Sequence, residues 1–255
     1  MSNKTQVNIE PRHHTPFFNE IEPVTAWNFN IRPTNRGTMA AYISTSEGGK
    51  IRIQLTRCRI PFGVRDGYGA ENATRDENSR PSLDLDMANQ DFVHWTRQVD
   101  QHIINFIAEN STALLKKQTA REVVADVYRR LVPENNSDFN PLFRTKINRV
   151  GTYSTTVFLV TDPGSTTSPL KFRPGTIEDI QPHDEILPII EISNIWFANK
   201  QYGVTVSLVS AMLFKHTPPN VNNFYVEGVA GVKLDTPTIA GLAESRDNED
   251  LSEPF

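Results

Sequence analysis

The sequence predicts an α+β fold, and more narrowly a small β-barrel with helices inserted between its strands. Three observations lead to this class. Alternating apolar and polar residues mark strands in the first third of the chain, two segments with helical periodicity follow, and long strand-like segments come last. The 255 residues suffice to bury a core. The order of strands, helices and strands favours a single domain.

The first strands are expected between residues 27 and 62. The clearest pattern is GGKIRIQL, in which Ile51, Ile53 and Leu55 alternate with polar residues. A period of two places these aliphatic side chains on a buried face and Arg52 on an open face. A long loop rich in glycine, asparagine and charge is expected to follow.

Helices are expected in the middle of the chain, after a short strand at 83–87. Residues 90–111 carry apolar side chains at spacings of three and four, which predicts an amphipathic helix. A second helix is expected to begin at Thr119, with Glu122 completing a capping box, and to end before Pro133. One face of this helix would carry Val123, Val127 and Leu131.

Strands are predicted again at 143–147, 154–161 and 185–214, with turn residues between them. Within the last segment, the letters ANKQYG indicate the tip of a hairpin. Trp196 and Phe197 are adjacent, so a strand would turn one inward and the other outward. We expect Trp196 to be the core residue.

Composition divides the chain into four parts: a flexible N-terminal arm (1–25), a main domain (26–215), an extension rich in proline and asparagine (216–243) and an acidic tail (244–255). The net charge is −4. The tail holds five acidic residues and one arginine, which leaves 25 acidic and 25 basic residues in the rest of the chain. The body is therefore neutral, and a neutral body can carry a local basic groove.

Sequence signatures of catalysis are weak, and we expect neither an enzyme nor a cofactor or metal. The chain has no phosphate-binding glycine loop, no GxSxG and no HExxH. His94 and His102 are interpreted as ordinary helix positions, and Asp84 and Asp86 as a solvated strand face. No histidine or aspartate is placed by the sequence to activate Cys58.

The single cysteine favours an intracellular, reducing compartment, because it cannot form an internal disulfide. The sequence shows neither a secretion signal nor a membrane-spanning stretch, so no membrane association is expected.

Cations and aromatic residues are interleaved on several strand-like segments. Such a mixture suits single-stranded nucleic acid, because cations follow the phosphates while aromatic rings stack on bases. Alternating charge on a half-exposed strand is also ordinary, so this pattern alone leaves both interpretations open. The candidate DNA-binding residues are Arg52, Arg57, Arg59, Phe62, Arg65, Arg144, Lys146, Lys200 and Tyr202. The segment Lys171-Phe172-Arg173 has the same character.

The chain ends in DNEDLSEPF, an acidic stretch that closes on an aromatic residue. Its carboxylates could compete with phosphates for a basic groove, and a terminal phenylalanine could fill an apolar pocket of a partner. The residues assigned to these roles are Asp247, Glu249, Asp250, Glu253, Pro254 and Phe255.

This tail resembles the ends of bacterial and short-tailed-phage single-stranded DNA-binding proteins. The order of IPFGV, SLDLDM, the helical region, FRTKI and IWFANKQYG resembles the single-stranded DNA-binding proteins of large nucleocytoplasmic DNA viruses, which are similar to the phage type. The resemblance covers roughly residues 50 to 215 and the tail. It implies an OB-fold-like five-stranded barrel elaborated by two inserted helices, without catalysis.

The resemblance further implies roles in viral DNA replication and recombination, in the host cytoplasm or nucleus. The expected partners are single-stranded DNA and, through the tail, replication proteins such as polymerase, helicase or primase. A homodimer is compatible with the sequence. Two rival functions stay open: a viral structural or scaffold protein that binds no nucleic acid, and an enzyme of nucleic-acid metabolism whose site is assembled from distant residues.

Overall fold

The structure is a computed structural model that describes residues 15–35, 37–65, 80–134, 138–165, 168–198 and 200–216. Across these ranges the chain forms twelve β-strands and three α-helices. The strands are β1 (Asn28–Pro33), β2 (Met39–Ser44), β3 (Ile51–Gln54), β4 (Cys58–Arg59), β5 (Val64–Arg65), β6 (Ser82–Asp86), β7 (Tyr128–Arg129), β8 (Leu142–Ile147), β9 (Thr156–Asp162), β10 (Lys171–Gly175), β11 (Glu185–Ala198) and β12 (Gln201–Phe214). The helices are α1 (Gln90–Glu109), α2 (Ser111–Leu115) and α3 (Arg121–Val127).

Five of the strands pair in a closed circuit. β4 pairs with β6, β6 with β8, β8 with β12, β12 with β11, and β11 returns to β4. All of these pairings are antiparallel except that of β8 with β12, which is parallel. The helices α1, α2 and α3 lie in the connection between β6 and β8.

The remaining strands extend this circuit into one sheet. β2 and β1 continue from β11, and β9 and β10 continue from β12. The short strands β3, β5 and β7 pair with β11, β6 and β12. The predicted α+β class is thus confirmed. The described sheet has twelve strands where five were expected, and the insertion has three helices where two were expected.

Alternation along the strands separates the core from the solvent. In β8, the side chains of Phe143, Thr145 and Ile147 are buried, while those of Arg144 and Lys146 are exposed. Burial of each large aliphatic or aromatic side chain contributes about 1.5–3 kcal/mol. The same alternation of buried and exposed side chains along the other strands produces a continuous core.

Helix α1 follows the prediction closely, beginning at Gln90 and ending at Glu109. The side-chain oxygen of Asn89 accepts a hydrogen bond of 3.1 Å from the backbone N–H of Phe92, which caps the first turn. Its buried side chains recur at helical spacing and face the core: Phe92, Val93, Thr96, Val99, Asp100, Ile103, Ile104 and Ile107.

The second predicted helix is shorter than its sequence pattern indicated. Helix α3 begins at Arg121 rather than near Thr119, and no side chain caps it. It ends at Val127 because the chain turns into β7, where Tyr128 pairs with Tyr202 of β12. The predicted apolar face was wrong at Val123, which is exposed, whereas its neighbour Val124 is buried. Leu131 is buried as expected, but it lies beyond the end of the helix.

A buried carboxylate joins α1 to the segment that follows α3. Asp100 accepts a hydrogen bond of 2.8 Å from the hydroxyl of Tyr128 and hydrogen bonds of 3.2 Å from the backbone N–H of Leu131. Burial raises the pKa of Asp100 to about 7, although the hydrogen bonds from Tyr128 and Leu131 oppose this rise. This contact fixes the helices against β7.

The described part of the N-terminal arm lies against α1. The ring of Phe18 lies 5.5 Å from that of Phe92 and 6.0 Å from that of Trp95. Residues 1–14 and 217–255, which include most of the predicted extension and the whole acidic tail, lie outside the described residues. Among the helices that the structure describes, none is long and apolar enough to span a membrane.

Candidate nucleic-acid interface

One surface of the sheet faces away from the core, and we call it the outer face. It is defined by Arg144 and Lys146 of β8 and by the residues in register with them. Lys146 lies opposite Ser207 of β12, and Ser207 lies opposite Glu191 of β11. Because directly paired residues share a face, these four residues mark a continuous surface across three strands.

Most of the predicted DNA-binding residues meet on or beside the outer face. Arg52 is in register with Glu191, and Arg59 is in register with Glu185. The others reach the face through side-chain contacts described below. The residues that lie on or beside this face are Arg52, Arg57, Arg59, Phe62, Arg65, Arg144 and Lys146. Of this set, Arg144 and Lys146 line the groove of the outer face.

Asp84 of β6 organises two of these arginines. Arg144 donates two hydrogen bonds to its carboxylate, at 2.7 Å from Nε and 3.0 Å from Nη2. Nη1 of Arg65 lies 3.5 Å from the same carboxylate. The side chain of Asp84 is only 2 % exposed, so the expected solvated position was wrong: two guanidinium groups cover it. Asp84 thereby holds both cations on the outer face.

Two glutamates of β11 pair with Arg52 and Arg57. Glu191 accepts a hydrogen bond of 2.9 Å from Nε of Arg52 and lies 3.3 Å from Nζ of Lys50. Glu185 forms an ion pair with Arg57. The guanidinium of Arg57 also lies 3.9 Å from the ring centre of Phe214. These contacts keep the long cationic side chains ordered over the sheet.

Arg59 and Phe62 lie near the connection that leads from β4 to β6. Nη2 of Arg59 lies 2.9 Å from Nδ1 of His183. Half of Phe62 is exposed, and the guanidinium of Arg65 lies 4.2 Å from its ring centre. An exposed ring with a cation on its face is an arrangement that can also accept a nucleobase.

A groove of about 1100 Å³ crosses the outer face along β6, β8 and β12. Its walls include α3 and the residues after β7. Basic side chains outnumber acidic ones in its lining: Arg80, Arg129, Arg130, Arg144 and Lys146 against Asp84, Asp126 and Glu134. This local excess of positive charge occurs in a body without net charge, and it favours an anionic ligand.

The pKa of Lys146 lies below its usual value. Desolvation in the groove and the neighbouring charge of Arg144 lower its pKa, while Asp84 opposes the change. Among the residues that the structure describes, Lys146 has no ion-pair partner. A bound phosphate would relieve the repulsion between Lys146 and Arg144.

Trp196 lies in the lining of this groove, so its expected place in the core was wrong. The reason is a register shift in β11 between Ile192 and Asn194. Before the shift, even-numbered residues face the core. After it, Ile195 is buried and Phe197 packs against the core, which turns Trp196 outward.

Gly203 makes room for the indole of Trp196. The two residues are paired across the β11–β12 hairpin. A Cβ atom at position 203 would lie 2.6 Å from Cζ2 of Trp196, so no side chain fits there. The sequence held a usable signal, since the two-residue hairpin tip in WFANKQYG sets Trp196 opposite Gly203.

The last two predicted residues, Lys200 and Tyr202, lie at the β11–β12 hairpin, apart from the other predicted residues on the outer face. Lys200 is exposed at the tip, with a left-handed φ of 63°. Tyr202 packs against the core, and its ring lies 5.3 Å from that of Phe197. Trp196, rather than Tyr202, offers an aromatic surface to the groove.

Cys58 lies buried in the core. Burial, together with the charges of Asp86 and Glu185, raises the pKa of the Cys58 thiol to about 12. Its Sγ lies 3.7 Å from the carbonyl oxygen of Ile186. The residues described by the structure contain no group of three histidine, cysteine or carboxylate side chains arranged to hold a metal ion. The predicted tail residues 247–255 lie outside the described ranges.

No protein-family model and no curated protein matches the chain. Among solved structures, a single-stranded DNA-binding protein from bacteriophage Enc34 in complex with single-stranded DNA is 14 % identical, with a TM-score of 0.39, and the match covers 70 % of this chain and 92 % of that one. The single-stranded DNA-binding protein gp2.5 of bacteriophage T7 is 11 % identical, with a TM-score of 0.41, and the match covers 69 % and 98 %. Similarities this distant assign no function.

Proposed function

We propose that this protein binds single-stranded DNA on its outer face, without sequence preference and without catalysis. The observation that carries the proposal is the groove, where an excess of basic side chains surrounds the outward-facing Trp196. Cations that neutralise phosphates and an aromatic ring that stacks on bases are the two requirements for such binding. Neither requirement depends on the base sequence.

The strand circuit supports an OB-type barrel as the scaffold. In circuit order its strands are the first (β3–β4), second (β6), third (β8), fifth (β12) and fourth (β11), with the third and fifth parallel. OB-folds bind oligonucleotides on the face of the second and third strands, between the first and last hairpin connections. The groove occupies the corresponding place, since Arg80 precedes β6 and Trp196 lies beside the tip between β11 and β12.

A strand bound in the groove would be held by two kinds of contact. Lys146 and Arg144 would contact phosphates, together with Arg52, Arg57, Arg59 and Arg65 along the outer face. Trp196, and Phe62 at the connection from β4 to β6, would stack on bases. Bases are available for stacking only when unpaired, which favours single strands over duplexes.

We further propose that the acidic tail regulates this surface. The tail carries a charge of −4 on a body without net charge, so its carboxylates can compete with phosphates for the same cations. The terminal Phe255 would dock into a partner in replication, such as a polymerase, helicase or primase. The resemblance of the tail to bacterial and short-tailed-phage proteins, and of the body to those of large nucleocytoplasmic DNA viruses, supports a role in viral DNA replication and recombination.

The experiment is a titration of a labelled oligothymidylate with the full chain and with Lys146→Ala. The variant is expected to bind more weakly, and its slope of log K against log salt should be shallower by about 0.7, as for one lost phosphate contact on a single strand. Lys117→Ala removes the same charge from an exposed residue between α2 and α3 and should bind like the unaltered protein. Equal effects of both substitutions would contradict the proposed groove.

Duplex DNA and RNA of the same length are titrated in the same way, and their affinities are compared with that of the single-stranded DNA. We expect the duplex to bind more weakly than the single strand, since its bases cannot stack on Trp196. Absence of binding to any nucleic acid at low salt would leave the structural or scaffold role as the function to pursue.

A further inference from the structure

A second aromatic pair lies on the sheet at a distance from the groove. The rings of Phe158 in β9 and Phe172 in β10 are 5.3 Å apart and meet edge to face, with an angle of 76°. Phe172 is 50 % exposed, and neither residue lines the groove. The function proposed above makes no use of this pair.

The strand register puts this pair on the outer face. Phe158 lies opposite Met212 of β12 in parallel pairing, while its neighbours Val157 and Leu159 are buried. Phe172 lies opposite Val160, which shares the face of Phe158 because it lies two residues further along β9. The pair and the groove are therefore on one continuous surface.

The distance between the two sites follows from β12. The indole of Trp196 lies against Gly203, and Met212 is nine residues further along the same strand. At the rise of a strand, this separation is about 30 Å. Between them, Ser207 and Ser210 offer small polar side chains that leave the face open.

Positive charge flanks the aromatic pair on both sides. Lys171 precedes Phe172, is largely exposed, and pairs with Asp162 at 3.4 Å on the same side of the sheet. On the other side, the guanidinium of Arg57 lies over the ring of Phe214, the next outward residue of β12 after Met212. A partly exposed pair of rings between two cations matches an anionic ligand that carries aromatic bases.

Self-association through β10 fits the same surface less well. β10 is an edge strand, and a second copy could in principle pair with it. However, Pro174 has no N–H to donate, and Lys171 and Arg173 would bring like charges together in a self-pairing. The charge and the proline both disfavour a protein strand and leave the rings accessible.

We infer that Phe158 and Phe172 form a second base-stacking site, which the same DNA strand reaches after it leaves the groove. This inference rests on the proposed binding of single-stranded DNA. It adds that the bound strand runs the length of β12, from Trp196 to Phe172. Binding should therefore strengthen with oligonucleotide length in two steps, and only the second step should depend on Phe172.

The test compares oligothymidylates from about 4 to about 16 nucleotides, the range covered by single OB domains. Phe172→Leu keeps an apolar side chain against Phe158 but removes the aromatic face, whereas Phe172→Trp keeps an aromatic face. Phe172→Leu is expected to bind the shortest oligonucleotides like the unaltered protein and the longest about tenfold more weakly. Phe172→Trp is expected to bind all lengths like the unaltered protein.

Two results would overturn the inference while leaving the proposed function intact. One is unchanged affinity of Phe172→Leu for every length. The other is an equal loss of affinity of Phe172→Leu for short and long oligonucleotides, which would indicate a general effect on the fold. The thermal unfolding midpoint of the variant, measured alongside, identifies such an effect. If the unaltered protein binds no oligonucleotide of any length, the proposed function itself fails, and this outcome is distinct from the other two.

Discussion

At the scale of single residues, most cations of the outer face are already partnered within the protein, and Lys146 is an exception among the residues that the structure describes. Arg144 and Arg65 both pair with Asp84, and Arg52 and Lys50 both pair with Glu191. Arg57 pairs with Glu185. A phosphate must therefore replace a carboxylate, which lowers the net gain from each contact. The carboxylates would thus set the affinity of the face as much as the cations do.

Replacement of Glu191 by glutamine tests this competition. The substitution releases Lys50 and Arg52, which lie 3.3 and 2.9 Å from the carboxylate. We expect affinity for single-stranded DNA to rise about fivefold, since a partly exposed ion pair contributes up to about 1 kcal/mol. Glu122→Gln removes the same charge from an exposed position in α3 and should change nothing. Weaker binding by Glu191→Gln would mean that the glutamate positions the cations instead of competing for them.

At the scale of secondary-structure elements, the long β11–β12 hairpin decides which aromatic residue faces the ligand. Its register shift between Ile192 and Asn194 reverses the alternation and turns Trp196 into the groove. The helices of the insertion are fixed behind it by Asp100, whose carboxylate bonds to Tyr128 and Leu131. Tyr128 in turn pairs with Tyr202 near the tip of the same hairpin.

The Asp100 contact predicts a pH dependence of stability. Burial raises the pKa of Asp100 from 3.8 to about 7. The folded protein therefore holds this proton more tightly than the unfolded chain, so the stabilisation that Asp100 contributes is complete below about pH 4 and is lost as the pH rises to about 7, where the folded group ionises. The full loss amounts to about 4 kcal/mol of the free energy of unfolding.

Asp100→Asn should remove this step, because an amide can accept from Leu131 and donate to Tyr128 without titrating. Urea denaturation at several pH values between about 4 and about 7 measures the difference. Asp138→Asn, at an exposed position, serves as the control. Parallel stability curves for Asp100→Asn and the unaltered protein would show that the buried carboxylate does not titrate in this range.

At the scale of the whole molecule, charge is divided between a neutral body and an acidic tail. Deletion of residues 244–255 removes a charge of −4 and should tighten binding to single-stranded DNA about tenfold at low salt, with a smaller gain at high salt. Removal of Phe255 alone leaves the side-chain carboxylates in place and should not change this affinity. Unchanged or weaker binding by the longer deletion would contradict competition by the tail.

Local patterns predicted much of the fold but not the arrangement of the site. The span of α1 and the alternation that exposes Arg52 and Arg144 follow from residues close in sequence. The partners of these arginines do not, because Glu191 and Asp84 are 139 and 60 residues away and meet them only through the strand register. The outward position of Trp196 likewise depends on a one-residue shift that alternation alone does not indicate.

The most direct test of the central claim is the affinity of the full chain for single-stranded DNA across a series of salt concentrations. If the outer face binds phosphates, log K should fall linearly with log salt, with a slope of about −0.7 for each phosphate neutralised. Several phosphate contacts would give a slope steeper than about −2. No binding at low salt, or an affinity that does not change with salt, would contradict the claim.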